Sequence, residues 1–171
     1  RIAGGVFKIG DDITVLPSGF QSKIKSIETF NGSIDEAYAP MSVTLTLEDD
    51  IDVSRGDMIV RPKNQPEVIQ DVEIMLCWMS ETPLINRGKY TLKHTSKEAR
   101  CMIKDIQYKV DINTLHRLEE DKEIKCNDIA KVTLRVTQPL FADQYKDNRS
   151  TGSVIVIDEA TNNTVGAGMI V

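Results

Sequence analysis

A chain of 171 residues, 40% hydrophobic and 27% charged, is long enough to bury a core and has the balance of a soluble globular protein. A net charge of -5 and a pI near 5.1 argue against non-specific nucleic-acid binding, which leans on a basic face. No apolar run reaches the roughly 18–20 residues that a membrane-spanning helix needs, and Arg1-Ile2-Ala3-Gly4-Gly5 is not a signal peptide.

Positions 4–12 are rich in turn formers (Gly4, Gly5, Gly10, Asp11, Asp12), and Ile13-Thr14-Val15-Leu16 then reads as a strand closed by Pro17-Ser18-Gly19. From Phe20 to Ile27 apolar and polar residues alternate, the mark of a half-buried antiparallel strand. Asn31-Gly32 is a turn. In the run 41–47 the odd positions Met41, Val43, Leu45 and Leu47 are all apolar, so one face of that strand is predicted to be core. An acidic turn at 48–52 and a glycine bend at Arg55-Gly56-Asp57 lead to a second apolar run, Met58-Ile59-Val60. This succession of strand, acidic loop, bend and strand is the pattern around which the rest of the chain is organised.

The segment 61–66 carries Pro62 and Pro66 and reads as a linker. Beyond it, strands are predicted over 68–79, 90–95, 99–110 and 129–136, with a closing hairpin of 153–157 and 165–171. The segment 111–128 is least strand-like and reads as a turn, or one helical turn, plus a solvated loop; 141–150 reads as a polar loop. The fold class predicted is all-β, two small barrels, with domains over 1–64 and 65–171.

The candidate chemistry is thin. Glu48, Asp49, Asp50 and Asp52 are hard-cation ligands by type but lack the spacing of a calcium loop. Arg55-Gly56-Asp57 matches an integrin-binding tripeptide, yet three unpaired cysteines (Cys77, Cys101, Cys126) fit a reducing cytoplasm better than the cell exterior. His94 and His116 have no second His or Cys nearby and read as surface or interface residues; a zinc site needs three or four convergent ligands. Cys101 falls on a strand, where a small buried hydrophobe is its ordinary use. Gly4-Gly5 and Gly166-Ala167-Gly168 lack the phosphate-loop pattern, and the second reads as a place where a strand passes close to another backbone.

Several stretches carry a family resemblance: GGVFKIGDDITVLPSGFQSKIKSIETF, APMSVTLTLEDDIDVSRGDMIV, YKVDINTLHRLEEDKEI, NDIAKVTLRVTQPLF and GSVIVIDEATNNTVGAGMI. From end to end the chain resembles the carboxy-terminal part of the sulfate adenylyltransferase subunit 1 family, the GTPase subunit of bacterial ATP sulfurylase, itself similar to elongation factor Tu. The hairpin with Gly5, Gly10, Asp11 and Leu16-Pro17-Ser18-Gly19 and the closing stretch 164–171 are its most translation-factor-like parts.

The resemblance implies two barrels that follow a GTPase domain, in a parent that makes adenosine 5'-phosphosulfate and pyrophosphate from ATP and sulfate at the cost of GTP. GTP and Mg are implied for the full-length parent; no cofactor, metal or catalytic residue is expected in this stretch. The implied partners are the GTPase domain of the same chain and the catalytic subunit, with no membrane and with nucleic acid disfavoured. The first strands of the first barrel are expected to be missing before Arg1, leaving an opened barrel or an edge-paired homodimer. Partner contacts are expected in the loops around 113–117 and 143–149, at Asn113, His116, Arg117 and Arg149. The alternative is a translation-factor-like barrel pair that binds RNA.

Overall fold

The computed structural model describes all residues 1–171 and contains fourteen strands and no helix. No helix is therefore long and apolar enough to cross a membrane. The chain divides into two compact units, Arg1–Pro66 and Glu67–Val171.

The first unit holds β1 (Val6–Lys8), β2 (Asp12–Leu16), β3 (Gln21–Thr29), β4 (Gly32–Ile34), β5 (Glu36–Tyr38), β6 (Thr44–Leu47) and β7 (Met58–Val60). The long strand β3 is its spine: its start pairs with β2, its end with β4 and β6, and β2 pairs onward with β7. β1 and β5 form a separate two-stranded ribbon. The sheet does not close, and β6 and β7 each pair with one strand only. Ile13, Val15, Ile24 and Ile27 are fully buried, while Met41, Val43, Leu45, Leu47, Ile51 and Ile59 pack against them half-exposed.

Three expectations change here. The turn-rich 4–12 contains β1, whose single inward residue, Phe7, gives no alternation to read. The apolar run 41–47 is a strand only from Thr44, although Met41 and Val43 still face the core. β6 and β7 are not hairpin partners, since β3 and β2 lie between them. Gly56 nevertheless makes the expected bend: its φ is 101°, where a side chain is disfavoured. Asp57 caps that bend by accepting the Ser54 N–H at 2.8 Å.

The second unit holds β8 (Glu67–Trp78), β9 (Lys89–His94), β10 (Lys97–Val110), β11 (Arg117–Leu118), β12 (Ile129–Ala142), β13 (Ser153–Ile157) and β14 (Thr164–Ile170). Six of these form a ring in the order β10-β12-β8-β14-β13-β9, and β9 pairs back onto β10 to close it. All pairs are antiparallel, and β11 is a two-residue addition to the outer edge of β10. The first and last strands are neighbours: Ile74 faces Ile170, and the Val171 N–H donates to the Glu73 carbonyl at 3.1 Å. Alternate residues fill the interior, from Val72, Ile74, Leu76 and Trp78 on β8 to Val132 and Leu134 on β12. Trp78 meets Tyr90 edge-on at 5.7 Å and donates its indole N–H to the Thr82 carbonyl at 2.8 Å.

β12 outruns its predicted end. Pro139 interrupts the ladder, and the register slips between Arg135 and Leu140, but pairing with β8 resumes through Ala142. Segment 111–128 contains the single turn expected, closed by the bond from the Leu115 N–H to the Asp111 carbonyl, but also β11, and its Ile124 is fully buried.

Candidate functional site

Most of the reactive residue types are spent on structure. His94 does not lie on a surface: it is 2% exposed, and its Nε2 donates to the Thr151 carbonyl at 2.6 Å. With a carbonyl as partner, Nε2 must carry the proton, and burial lowers the pKa of the ring. Thr151 in turn donates its hydroxyl to Asp143 at 2.6 Å. Burial pushes the Cys101 thiol up to about 12, which leaves it inert. In the acidic turn, Asp49 accepts from the Ser22 hydroxyl at 2.8 Å, and no three acidic, His or Cys residues converge as a metal site.

The 166–168 stretch lies within β14. A side chain at Gly166 would meet Leu76 Cδ1 at 2.8 Å, and one at Gly168 would meet Ile74 Cδ1 at 2.6 Å. These glycines make room chiefly for core side chains rather than for a backbone. A strand packed in this way offers no free N–H cradle of the phosphate-loop kind.

One open cleft of about 700 Å³ lies in the first unit, walled by residues 11–13, 21–23, 48–49 and 61–63. Two of its three cations are already matched: Lys23 bonds Asp12 at 2.7 Å, which raises the lysine pKa, and Arg61 bonds Asp11 at 2.8 Å and the Val6 carbonyl at 2.7 Å.

The hairpin between β10 and β11 is different. Asp111 accepts the N–H of Asn113 at 2.8 Å, and its own N–H donates to the His116 carbonyl at 3.0 Å, closing a six-residue loop over 111–116. The bond from Asn113, with those from Thr114, lowers the Asp111 pKa. Arg117 stacks on the Tyr108 ring at 4.6 Å. Behind the hairpin, two lysines strap the following acidic segment to β10. Lys109 holds Asp128 at 2.8 Å and Asp121 at 3.1 Å, so its pKa rises and that of Asp121 falls. Lys122 donates to the carbonyls of Ile106 and Gln107 at 2.5 and 2.6 Å, beside the slip in the register of β10 between Ile106 and Tyr108.

The sequence-predicted contact residues fall into two groups. Asn113, His116 and Arg117 are exposed on this hairpin. Arg149 is exposed in the 143–152 loop, over the Tyr145 ring at 6.0 Å. The hairpin segment precedes β12 and the second loop follows it, so they lie at opposite ends of a strand about 40 Å long. One contact patch does not hold both. Strand order and direction decide this, and neither is visible from loop composition.

Residues 71–171 match the family described as GTP-eEF1A C-terminal domain-like. Over 169 residues the chain is 48% identical to the bifunctional enzyme CysN/CysC of Rhodopirellula baltica, covering 99% of this chain and 26% of that protein. It is 49% identical over 179 residues to sulfate adenylyltransferase subunit 1 of Sulfurovum sp., covering 99% and 37%. The protein of that name in Bacteroides thetaiotaomicron is 45% identical over 179 residues, covering 100% and 37%. The chain thus spans roughly a quarter to just over a third of the curated relatives it matches. Among solved structures, sup35 complexed with GDP superposes with a TM-score of 0.89 at 16% identity, covering 100% of this chain and 42% of the other, a likeness of fold.

Proposed function

Since this chain belongs to the GTP-eEF1A C-terminal domain-like family, we propose that it is the barrel portion of the GTPase subunit of a sulfate adenylyltransferase, serving to dock and couple rather than to catalyse. The carrying observation is whole-length identity of 44–49% to relatives that bear that subunit's name or the name CysN/CysC. In this reading, adenylyl transfer from ATP to sulfate belongs to a separate catalytic subunit, and GTP with magnesium belongs to the GTPase domain that precedes the barrels. The barrels hold the two together and pass on the nucleotide state. That task requires surfaces whose contacts differ between two states. The rigid second barrel, with shaped loops at both ends, is suited to present them.

The test is to mix the chain with the catalytic subunit and run size-exclusion chromatography with light scattering. A stable complex is expected; separate elution would return the contacts to the GTPase domain alone. The same run on the chain by itself tests a second reading, an edge-paired dimer, favoured by the single-sided pairing of β6 and β7. A mass of twice 19.1 kDa is its signature. RNA binding is disfavoured by the charge of -5, and filter binding with tRNA checks it.

A further inference from the structure

Three large apolar side chains stand in solvent on the β10–β11 hairpin: Ile112 is 63% exposed, Leu115 76% and Leu118 37%. They are not there because the loop is loose. Asp111 accepts from the backbone N–H of Asn113 and, at 3.4 Å, of Thr114. The Leu115 N–H donates to the Asp111 carbonyl at 2.7 Å. Leu115 itself has φ of 60°, a left-handed conformation that leucine adopts only when its surroundings impose it. An ordered, strained loop thus presents its most exposed apolar residue to water. Strain of this kind collects at ligand clamps and contact sites.

The neighbouring charges indicate what would cover it. Asp121 is tied to Lys109, and Glu123 to Lys125 at 3.1 Å. Glu119 and Glu120, directly after Leu118, are exposed and meet no cation. Two uncompensated carboxylates beside an apolar tip repel an anionic lipid surface, a nucleic-acid backbone and the same tip of a second copy. They suit a protein surface with a cationic rim.

We propose that this hairpin tip is the anchor by which the chain grips its protein partner, with Leu115 and Ile112 entering an apolar pocket whose rim supplies Lys or Arg to Glu119 and Glu120. The proposal rests on the docking reading and confines it to one end of the second barrel. A preformed loop loses little freedom on binding, and a few buried apolar anchors commonly carry most of an interface's affinity.

The test titrates the catalytic subunit of sulfate adenylyltransferase with the 171-residue chain and three variants, Leu115→Asp, Leu115→Gly and the double reversal Glu119→Lys with Glu120→Lys. Circular dichroism should be unchanged in all, since every altered side chain is exposed, and no variant should melt lower; Leu115→Gly should melt slightly higher, because glycine adopts the left-handed backbone without strain. Leu115→Asp and Leu115→Gly are expected to weaken binding at least about tenfold. The charge reversal should weaken it several-fold at low salt and flatten its salt dependence. Wild-type binding that all three variants retain would overturn the tip as anchor and leave the docking reading standing. No wild-type binding would overturn both. Wild-type capture by phosphatidylserine vesicles that Leu115→Asp abolishes would assign the tip to a membrane and overturn the protein partner.

Discussion

The two units solve the same problem to different degrees. In Glu67–Val171 a closed ring of strands buries twenty-one core residues and leaves one, Ile69, partly covered against them. In Arg1–Pro66 six core residues are buried and nine lie half-covered around them. Both units use the same alternating strands, so hydrophobic content does not separate them. Closure does. A ring gives every strand two neighbours and every inward side chain a wall on each side, whereas an open sheet leaves its edge residues half in water. Stability should therefore be concentrated in the second unit and local opening in the first.

The sharpest way to break that comparison is Trp78→Ala. It removes the largest fully buried side chain of the ring and should cost about 3–5 kcal/mol. Hydrogen exchange under increasing urea should show the loss across Glu67–Val171; equal loss across Arg1–Pro66 would mean that the two cores unfold as one. Next comes Gly152→Ala, whose Cβ would lie 2.4 Å from the Cα and 2.5 Å from the backbone N of Tyr145. Backbone cannot swing aside as a side-chain tip can, so a loss of about 1–3 kcal/mol is expected in the urea midpoint. In the open unit, Leu45→Ala should cost only about 1 kcal/mol, because water already reaches that side chain. A loss as large as that at Trp78 would show Leu45 to be covered in solution, as edge pairing with a second copy would do.

The smallest effect is one of pH. Burial holds His94 neutral in the folded protein, its pKa below the ordinary 6.5 that it regains on unfolding. Between 6.5 and that lowered value the unfolded chain binds more protons, so stability falls as pH drops through this window and is fully present above it. Urea midpoints measured from pH 7.5 to 4.5 should slope down for wild type and flatten there for His94→Gln. A wild-type midpoint flat over that range would show the ring to be accessible.

The positions of most strands were legible in the sequence because alternation is a direct image of one wet and one dry face. Legibility failed where that image is absent. β1 and β5 each contribute a single inward residue, Phe7 and Ala37, too few to show a period. Ile124 sits alone in a charged run, and the backbone bond from the Leu84 N–H to its carbonyl at 2.9 Å, which folds the run back over the core, joins residues forty positions apart. His94 looked like a surface residue because its partner, Thr151, is distant in sequence. At the candidate docking end, the sequence drew the eye to polar Asn113, His116 and Arg117. The residues that stand out physically are apolar, and a leucine in a loop becomes conspicuous only when its exposure and its φ are known together.

The pairing of β8 with β14 has a consequence for how the second unit comes into being. Synthesis delivers β8 first and its ring neighbour β14 last. Until the final strand leaves the ribosome, one edge of β8 has no partner, and the interior marked by Ile74 and Leu76 lies open along a seam. The barrel then closes in one late step that joins its two extremes. A chain built this way should fold slowly for its size, and its hazard is greatest in the moments before synthesis of the unit is complete.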